Sequence, residues 1–399
     1  MPRYSSVFKD ESKLDINYIP QHLLHRKLQL NLLNQFFRFA VENPGKMTQR
    51  ALIMGHIGAG KTVLSQHFGL NITREAKQRN INLNYIHINC RECKGSLFMI
   101  LQRTIMKFIP NFPRRGYSAE ELLQALMQIL DEKDAYLILT LDELESLVQN
   151  EGSDPLYNLS RIQEDRINAP KRLSLICILR QPEHLENLDP STRSTLQRNI
   201  VQLREYSESQ LEDILDERVN LAFRDGTVPH QTMNLIAELG KSESGNARYA
   251  IELLWRAGKY ADASEMREVL PECVRNAVVS VYPVVRRDII PEFGFHEKLF
   301  LLGVARHFKQ TDSAYMSMGE AEEAYALVCE EYGEKRRGHT QLWKYVKALS
   351  AAGIIETLVS GVGKRGKTTL ISLSRVPASD LEQELVKLLV QEGGEDRWR

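Results

Sequence analysis

Short apolar runs alternate with helical segments over the first two hundred residues. Strands are predicted at the apolar runs Arg50–Met54, Leu83–Asn89, Tyr136–Leu141, Leu173–Leu179 and Asn199–Leu203. Helical segments, among them 96–109 and 119–131, lie between these runs, and a further helix rich in Leu and Phe is predicted at 22–41. Strands that alternate with helices indicate a parallel sheet covered on both faces.

The strand pattern ends near Ser207, and helices follow at 208–224, 232–239, 247–263 and 267–281. Prolines at 283 and 291 then mark a linker, after which helices lead to two short strands, 353–358 and 369–373. We therefore predict three domains: an α/β domain at 1–204, an all-α domain at 205–284, and helices followed by a hairpin at 285–399.

Composition excludes several classes of protein. Hydrophobic residues make up 43% and charged residues 26% of the 399 residues, which is ordinary for a globular protein. No apolar run approaches the roughly 18 residues of a membrane span, and the first residues lack a signal-peptide core. We therefore expect no membrane partner and a cytoplasmic location.

Five cysteines do not suffice for a disulfide framework. His87-x-x-Cys90-x-x-Cys93 lacks the second pair that a zinc site would require.

A glycine-rich turn follows the first strand. Gly55, His56, Ile57, Gly58, Ala59, Gly60, Lys61 and Thr62 match the Walker A pattern G-x-x-x-x-G-K-[ST], and Val63 continues into a helix. Such a loop turns its backbone N–H groups toward phosphate. Lys61 would reach the β- and γ-phosphates, and the Thr62 hydroxyl would bind Mg²⁺. The motif predicts a site for ATP or ADP with Mg²⁺ at these nine residues.

The third strand ends in Asp142-Glu143, which fits a Walker B motif. Asp142 would join Thr62 in holding Mg²⁺, and Glu143 would orient and deprotonate the attacking water. The alternative is a solvated acidic helix start, since acidic residues also suit a helix N-terminus.

Together these motifs resemble the archaeal origin-recognition initiators, AAA+ ATPases related to the eukaryotic origin recognition complex and to cell division control proteins. The resemblance includes the Walker A turn, the strand end Leu141–Leu147, Gly245-Asn246-Ala247-Arg248 and a basic C-terminal hairpin. It runs from Ile19-Pro20 to that hairpin, with weaker matches at 89–91, 113–116, 188–190 and 206–211. It implies an AAA+ core, an all-α lid and a DNA-binding winged helix.

The resemblance also assigns roles to individual residues. Arg248 corresponds to the arginine with which the lid senses the γ-phosphate, although it could be an ordinary surface arginine at a helix start. Ile19, Pro20 and Arg26 correspond to the segment that lines the adenine pocket, and simple packing of that segment is the alternative. Tyr206, in another matching segment, joins the predicted nucleotide-binding residues.

Two positions depart from the family pattern. Arg180 stands where the fourth strand should end in a sensor asparagine, and Ser191 replaces the arginine expected after Leu188-Asp189-Pro190. Arg180 cannot accept a hydrogen bond, so it cannot orient water as asparagine does, although its charge could still contact the γ-phosphate. Arg193 is the nearest candidate for an arginine finger acting on a neighbouring subunit. We expect a slow ATPase that keeps its nucleotide, and a faster Arg180→Asn variant.

The C-terminal helices and hairpin follow the winged-helix order. Between Glu331 and Arg375, nine Lys and Arg residues stand against three acids, although the whole chain has 52 of each charge. Thr340 is predicted to cap a helix whose apolar positions 342, 346 and 349 face a core, which leaves Lys344 and Lys347 outward. The predicted DNA-binding residues share positive charge or lie on this helix: Arg336, Arg337, Thr340, Lys344, Lys347, and Lys364, Arg365 and Lys367 on the wing. The alternatives are a solvated charged face or a protein-docking winged helix.

These features favour an ATP-dependent replication initiator that binds double-stranded origin DNA on the nucleoid and recruits or loads the replicative helicase, with self-association on DNA. One alternative is a paralogue that regulates DNA and senses nucleotide without loading a helicase. The other is a transposition or signalling ATPase with a similar core.

Overall fold

The computed structural model describes residues 6–113, 115–164, 166, 169–181, 183, 186, 188–281, 287–359, 369–373 and 376–393. The chain forms two compact units. The core unit comprises Ile19–Gln210 and Ser244–Ala247. The C-terminal unit comprises Met1–Tyr18, Leu211–Glu243 and Arg248–Arg399.

A five-stranded parallel sheet forms the centre of the core unit. Its strands are β1 Arg50–Met54, β2 Leu83–Asn89, β3 Tyr136–Asp142, β4 Leu173–Leu179 and β5 Ile200–Gln202. The strand order is β2-β3-β4-β1-β5, with Asn89 opposite Asp142 and Met54 opposite Leu179. The C-terminal ends of β1 to β4 therefore meet at one edge. The predicted strands are confirmed to within one residue at each end, except at the start of 353–358, considered below.

Both faces of this sheet are buried, as the uninterrupted apolar runs require. Leu52 and Met54 of β1 belong to one apolar cluster, and Ala51 and Ile53 to the other. The alternation follows from the two-residue period of a strand. The helices that cover the sheet are α1 Lys27–Phe36, α2 Phe39–Glu42, α3 Lys61–Gln78, α4 Leu97–Phe108, α5 Ala119–Glu132, α6 Glu145–Glu151, α7 Asp154–Arg161 and α8 Pro190–Leu196.

The predicted helix 22–41 is two helices, so this expectation was wrong. Phe37 leaves helical geometry, with φ −103° and ψ 13°, and its ring packs against Phe68 of α3. The fully buried Phe37 thus separates α1 from α2.

Helices dominate the rest of the chain. They are α9 Glu208–Ala222, α10 His230–Ser242, α11 Ala247–Ala263, α12 Pro271–Val281, α13 Phe295–Gln310, α14 Met318–Glu331, α15 His339–Ala351 and α16 Ala378–Gly393. Short 3-10 turns occur at Glu11–Leu14 and Arg287–Glu292. None of the helices in the described ranges is long and apolar enough to cross a membrane.

A small antiparallel sheet completes the winged helix. Its strands are β6 Met316–Ser317, β7 Glu356–Val359 and β8 Thr369–Ser372, in the order β6-β8-β7. Strand β7 begins three residues later than predicted. Strand β6 and helix α16 had no counterpart in the sequence prediction.

The predicted cap of α15 was also wrong. Gly338 is the N-cap residue, in an extended conformation, and Thr340 lies inside the first turn. Among the described residues, no side chain makes a capping hydrogen bond to this helix. Gly338 ends the preceding extended segment, so the helix begins before its first apolar position, Leu342.

Arg275 connects helix α12 to the winged helix within the C-terminal unit. Its side chain is 1% exposed and lies over the ring of Phe308, 4.5 Å from the centroid. It donates to the carbonyls of Leu373 at 2.5 Å and Ser313 at 3.2 Å, and it pairs with Glu272 at 3.0 Å. These contacts satisfy a charge that would otherwise be costly to bury.

The N-terminal segment of the C-terminal unit packs on α9 and α11. The rings of Phe8 and Phe223 lie 4.7 Å apart, and Trp255 and Lys259 both donate to the carboxylate of Glu11.

Candidate nucleotide-binding and catalytic site

The Walker A turn lies between β1 and α3, at the edge where the strands end. Gly58 and Gly60 have φ values of +76° and +86°, the left-handed region in which glycine is favoured. A Cβ on Gly58 would lie 1.9 Å from Oδ1 of Asn246, and one on Gly60 would lie 2.9 Å from the Tyr206 hydroxyl. Both backbone conformation and space therefore require glycine in this loop.

Lys61 lies over the loop that precedes it. Its Nζ donates to the carbonyls of Gly55 at 2.6 Å and His56 at 2.8 Å. Because an ammonium group has three donors, Lys61 can exchange these carbonyls for phosphate oxygens. His56 and Ile57 are exposed, Ala59 is buried, and Val63 is half-buried in the first turn of α3.

Thr62, Asp142 and His87 form a hydrogen-bonded group. The Thr62 hydroxyl donates to Oδ2 of Asp142 at 2.7 Å, and Nε2 of His87 lies 3.2 Å from the same oxygen. Burial raises the pKa of Asp142, but hydrogen bonds from His87 and Thr62 outweigh it and hold the pKa below its usual value. Asp142 is therefore a carboxylate ready to bind a cation.

The donor set fits Mg²⁺. A hydroxyl and a carboxylate meet beside a loop shaped for phosphates, and Mg²⁺ prefers oxygen ligands, one or two from the protein. Among the described residues, no group of three or more His, Cys, Asp or Glu side chains is placed to hold a metal ion. Cys90 and Cys93 are buried free thiols, and burial raises the pKa of each.

Glu143 begins the turn after β3 with a φ of +50°, a conformation uncommon outside glycine. Its N–H donates to Oδ1 of Asp142 at 2.8 Å. Nη2 of Arg180 donates to Oε1 of Glu143 at 2.5 Å, and Nε of Arg180 lies 3.0 Å from Oε1 of Glu145. The predicted base is thus ion-paired with the residue that departs from the family pattern.

Arg26 and Tyr206 lie beneath the Walker A turn, each 3% exposed. The guanidinium of Arg26 donates to the carbonyls of Ala59 and Arg204 and lies 3.8 Å from the centroid of the Tyr206 ring. Both residues therefore support the loop backbone. The role of Arg26 in the adenine pocket and that of Tyr206 in nucleotide binding stay predictions.

The segment at Ile19 and Pro20 is held to α3. Pro20 is buried and Ile19 is half-buried. His67 accepts from Asn71 at Nδ1 and donates from Nε2 to the carbonyl of Gln21 at 3.0 Å. This hydrogen bond positions the start of the predicted adenine-binding segment.

Ser191 and Arg193 lie on α8, whose N-cap is Asp189. Nη2 of Arg161, on α7, donates to the Ser191 hydroxyl at 2.5 Å, and its guanidinium lies over Tyr157. The guanidinium of Arg161 therefore lies beside Ser191, the residue that replaces the family arginine. Arg193, two residues further along α8, is half-buried.

The remaining predicted residues lie in the C-terminal unit. Arg248 is exposed in the first turn of α11. Lys344 and Lys347 are exposed on α15, as are Arg336, Arg337 and Thr340 at or before its start. Arg336 pairs with Glu330, and His339 bonds Glu322 and Trp343. Lys364, Arg365 and Lys367 lie outside the described residues.

Sequence reasoning missed His87, Glu145 and Arg161. His87 and Asp142 approach one another across the parallel pairing of β2 with β3. The alignment of two predicted strand ends was the signal that could have found His87. Glu145 carried a signal as a second acid after Asp142, whereas Arg161 had none.

Comparisons with known proteins agree with this architecture. The Cdc6 AAA+ ATPase-type lid domain matches residues 212–278, and the CDC6 C-terminal winged helix domain matches residues 288–383. The ORC1-type DNA replication protein 2 of Sulfolobus acidocaldarius is 33% identical over 388 residues, which cover 96% of this chain and 93% of that protein. The chain belongs to the ORC1-type DNA replication proteins.

Solved structures of this family share the fold. Cdc6p from Pyrobaculum aerophilum has a TM-score of 0.84 and 31% identity, covering 97% of this chain and all of that one. The structure of the Aeropyrum pernix ORC1 protein in complex with DNA has a TM-score of 0.64 and 25% identity, and the match covers 99% of this chain and 100% of that one. The predicted AAA+ core, lid and winged helix are confirmed. As an ORC1-type protein, this AAA+ ATPase acts in the initiation of DNA replication.

Proposed function

We propose that this replication protein binds ATP with Mg²⁺ at the Walker A turn, binds double-stranded origin DNA through its winged helix, and uses slow hydrolysis as a switch. The observation that carries the nucleotide part is the 2.7 Å hydrogen bond between Thr62 and Asp142 beside the glycine loop. Bound Mg²⁺ would neutralise charge on the β- and γ-phosphates. Lys61 would bind the phosphates, and Glu143 would accept a proton from water.

Slow turnover is supported by what surrounds Glu143. An arginine finger contributes about 10³–10⁵ to the rate in related reactions, and Ser191 supplies no cation. Arg180 donates a hydrogen bond to the carboxylate of Glu143. Its guanidinium cannot orient water as an asparagine carbonyl does, because it cannot accept a hydrogen bond. We expect turnover far below the enzyme median of about 10 s⁻¹, and protein that purifies with bound ADP or ATP.

DNA binding is supported by the exposed lysines of α15 and by the DNA complex of the similar Aeropyrum pernix protein. A helix of this kind presents side chains to the major groove, and the wing lysines and arginine would contact phosphates. Recruitment of the replicative helicase and self-association on DNA complete the proposal, with Arg193 as the cation that acts on a neighbouring subunit.

A regulatory paralogue that binds DNA and nucleotide without loading a helicase is the second candidate. The ion pair between Arg180 and Glu143 favours it, because a protein that hydrolyses little ATP remains in one state. The match to replication proteins over nearly the whole chain argues against the transposition or signalling alternative.

A footprint on the chromosomal DNA that encodes the protein tests the proposal. Protection should be compared with ATP, with ADP and without nucleotide at one defined salt concentration, because phosphate contacts depend on salt. Protected inverted repeats near the gene would support an initiator. Dispersed protection without helicase recruitment would support the regulator, and no protection in any state would refute DNA binding.

A further inference from the structure

Arg180 joins two carboxylates at the end of the sheet. Its Nη2 bonds Glu143 at 2.5 Å and its Nε lies 3.0 Å from Glu145. Arg180 follows β4, whereas both carboxylates follow β3, the neighbouring strand. We call these three residues the arginine bridge. It spans two strand ends at the place where hydrolysis is proposed to occur.

The two ends of the arginine bridge differ in exposure. The side chain of Glu145 is 10% exposed, and its carboxylate oxygens make no hydrogen bond of normal geometry within the described residues. A buried carboxylate is costly without a nearby cation, so Arg180 is held at Glu145. The side chains of Glu143 and Arg180 are 24% and 35% exposed. The guanidinium can therefore leave Glu143 by rotation while it stays beside Glu145.

Hydrolysis requires a free Glu143. The water oxygen bonds to the γ-phosphorus, the bond from that phosphorus to the β–γ bridging oxygen breaks, and Glu143 accepts a proton, which leaves ADP and phosphate. A base must lie within hydrogen-bond reach of the water. While Oε1 of Glu143 accepts from Arg180, that oxygen is directed at the guanidinium.

We propose that the arginine bridge restrains the base, and that Glu145 is the positioning residue that holds Arg180 within reach of Glu143. Each turnover then requires Arg180 to leave Glu143. This inference rests on the proposed ATPase function with Glu143 as the base, and it adds a residue and a cause for slow hydrolysis.

Four variants test it: Arg180→Asn, Arg180→Met, Glu145→Gln and the double variant Arg180→Met with Glu145→Gln. Methionine fills a similar volume but neither pairs with Glu143 nor orients water. We measure ATP affinity by calorimetry and hydrolysis in single turnover. Both Arg180 variants should hydrolyse about three to five times faster than wild type, because one partly exposed ion pair contributes at most about 1 kcal/mol. ATP affinity should stay unchanged, because the substitutions leave Lys61, Thr62 and Asp142 in place.

Glu145→Gln should raise the rate less, by about two- to threefold, because a neutral amide holds Arg180 more weakly. It should add nothing in the Arg180→Met background, since there is no arginine left to position. That double variant also contains no unpaired buried carboxylate, so it should fold even where Arg180→Met alone does not. Arg79→Met, which breaks an exposed pair with Glu75 on α3, is the matched control and should leave the rate unchanged.

The outcomes separate the bridge from the proposed function. If the double variant hydrolyses ATP more slowly than wild type, the bridge does not restrain Glu143. The same follows if Arg180→Asn hydrolyses faster while the double variant keeps the wild-type rate, because water orientation by the asparagine would then explain the gain. An effect of Glu145→Gln that persists without Arg180 overturns the positioning role. A Glu143→Gln protein that hydrolyses ATP at the wild-type rate refutes the proposed base itself.

Discussion

The guanidinium of Arg26 lies 3.8 Å from the centroid of the Tyr206 ring while its Nη2 bonds the carbonyl of Ala59 in the Walker A turn. The stacked pair therefore sets the position of a loop backbone that would otherwise depend on glycine torsions alone. Burial lowers the pKa of the Arg26 guanidinium, which reflects how completely the pair is enclosed.

Replacing Arg26 should loosen the loop. Arg26→Met leaves the carbonyls of Ala59 and Arg204 without their donor, and each such buried group costs about 1–3 kcal/mol. We expect a lower Tm and ATP affinity reduced about tenfold or more, measured by scanning and titration calorimetry. Tyr206→Phe keeps the ring and should stay close to wild type. Unchanged ATP affinity in Arg26→Met would show that the pair does not support the loop.

Lys61→Ala should abolish tight ATP binding in a folded protein. The variant removes charge-assisted hydrogen bonds to phosphate, so affinity should fall about 100-fold or more, as measured by titration calorimetry. Lys77→Ala, an exposed lysine at the end of the same helix, is the control. Retention of wild-type affinity by a folded Lys61→Ala protein would remove the nucleotide proposal.

Charge reversal of Lys364, Arg365 and Lys367 should weaken binding to every DNA sequence. A protein that neutralises fewer phosphates releases fewer counterions, so the slope of log K against log salt should decrease by about 0.9 for each phosphate that is no longer neutralised. Changes at Lys344 and Lys347 should instead alter sequence preference. Fluorescence anisotropy at several salt concentrations measures both effects, and an unaltered slope in the wing variant would contradict the proposed role of the wing.

Glu382 should stabilise the winged helix in a pH-dependent manner. Its hydrogen bond with Lys309, opposed by burial and aided by Arg306, holds its pKa below the ordinary value of 4.5. Because the pKa of this carboxyl is lower in the folded state than in the unfolded state, its ionised form stabilises the fold at pH values above 4.5. This stabilisation is lost as the pH falls through the folded-state pKa. Glu382→Gln should therefore cost about 0.5–1 kcal/mol at about pH 7 and less at about pH 3. Thermal unfolding at the two pH values checks this, and an equal cost at both would exclude the ion pairs as its origin.

The five core strands were predictable because each is a short apolar run that ends in turn residues. The nucleotide loop was predictable because its glycines follow such a strand directly. The break at Phe37 was not, since it depends on packing against Phe68 from another helix. Glu145 and His87 were missed for a related reason: Arg180, the partner of Glu145, and Asp142, the partner of His87, come from neighbouring strands, so finding these pairs requires the strand order of the sheet.

The buried Arg275 makes α12 and the winged helix interdependent. Without the winged helix the Arg275 guanidinium would lose two carbonyl acceptors, and without α12 the carbonyls of Leu373 and Ser313 would lose their donor. The two segments should therefore melt in one cooperative transition and resist separation by limited proteolysis. The same arrangement restricts recombination: a winged helix transplanted from another protein would be accommodated only if it brought backbone carbonyls to the same two places.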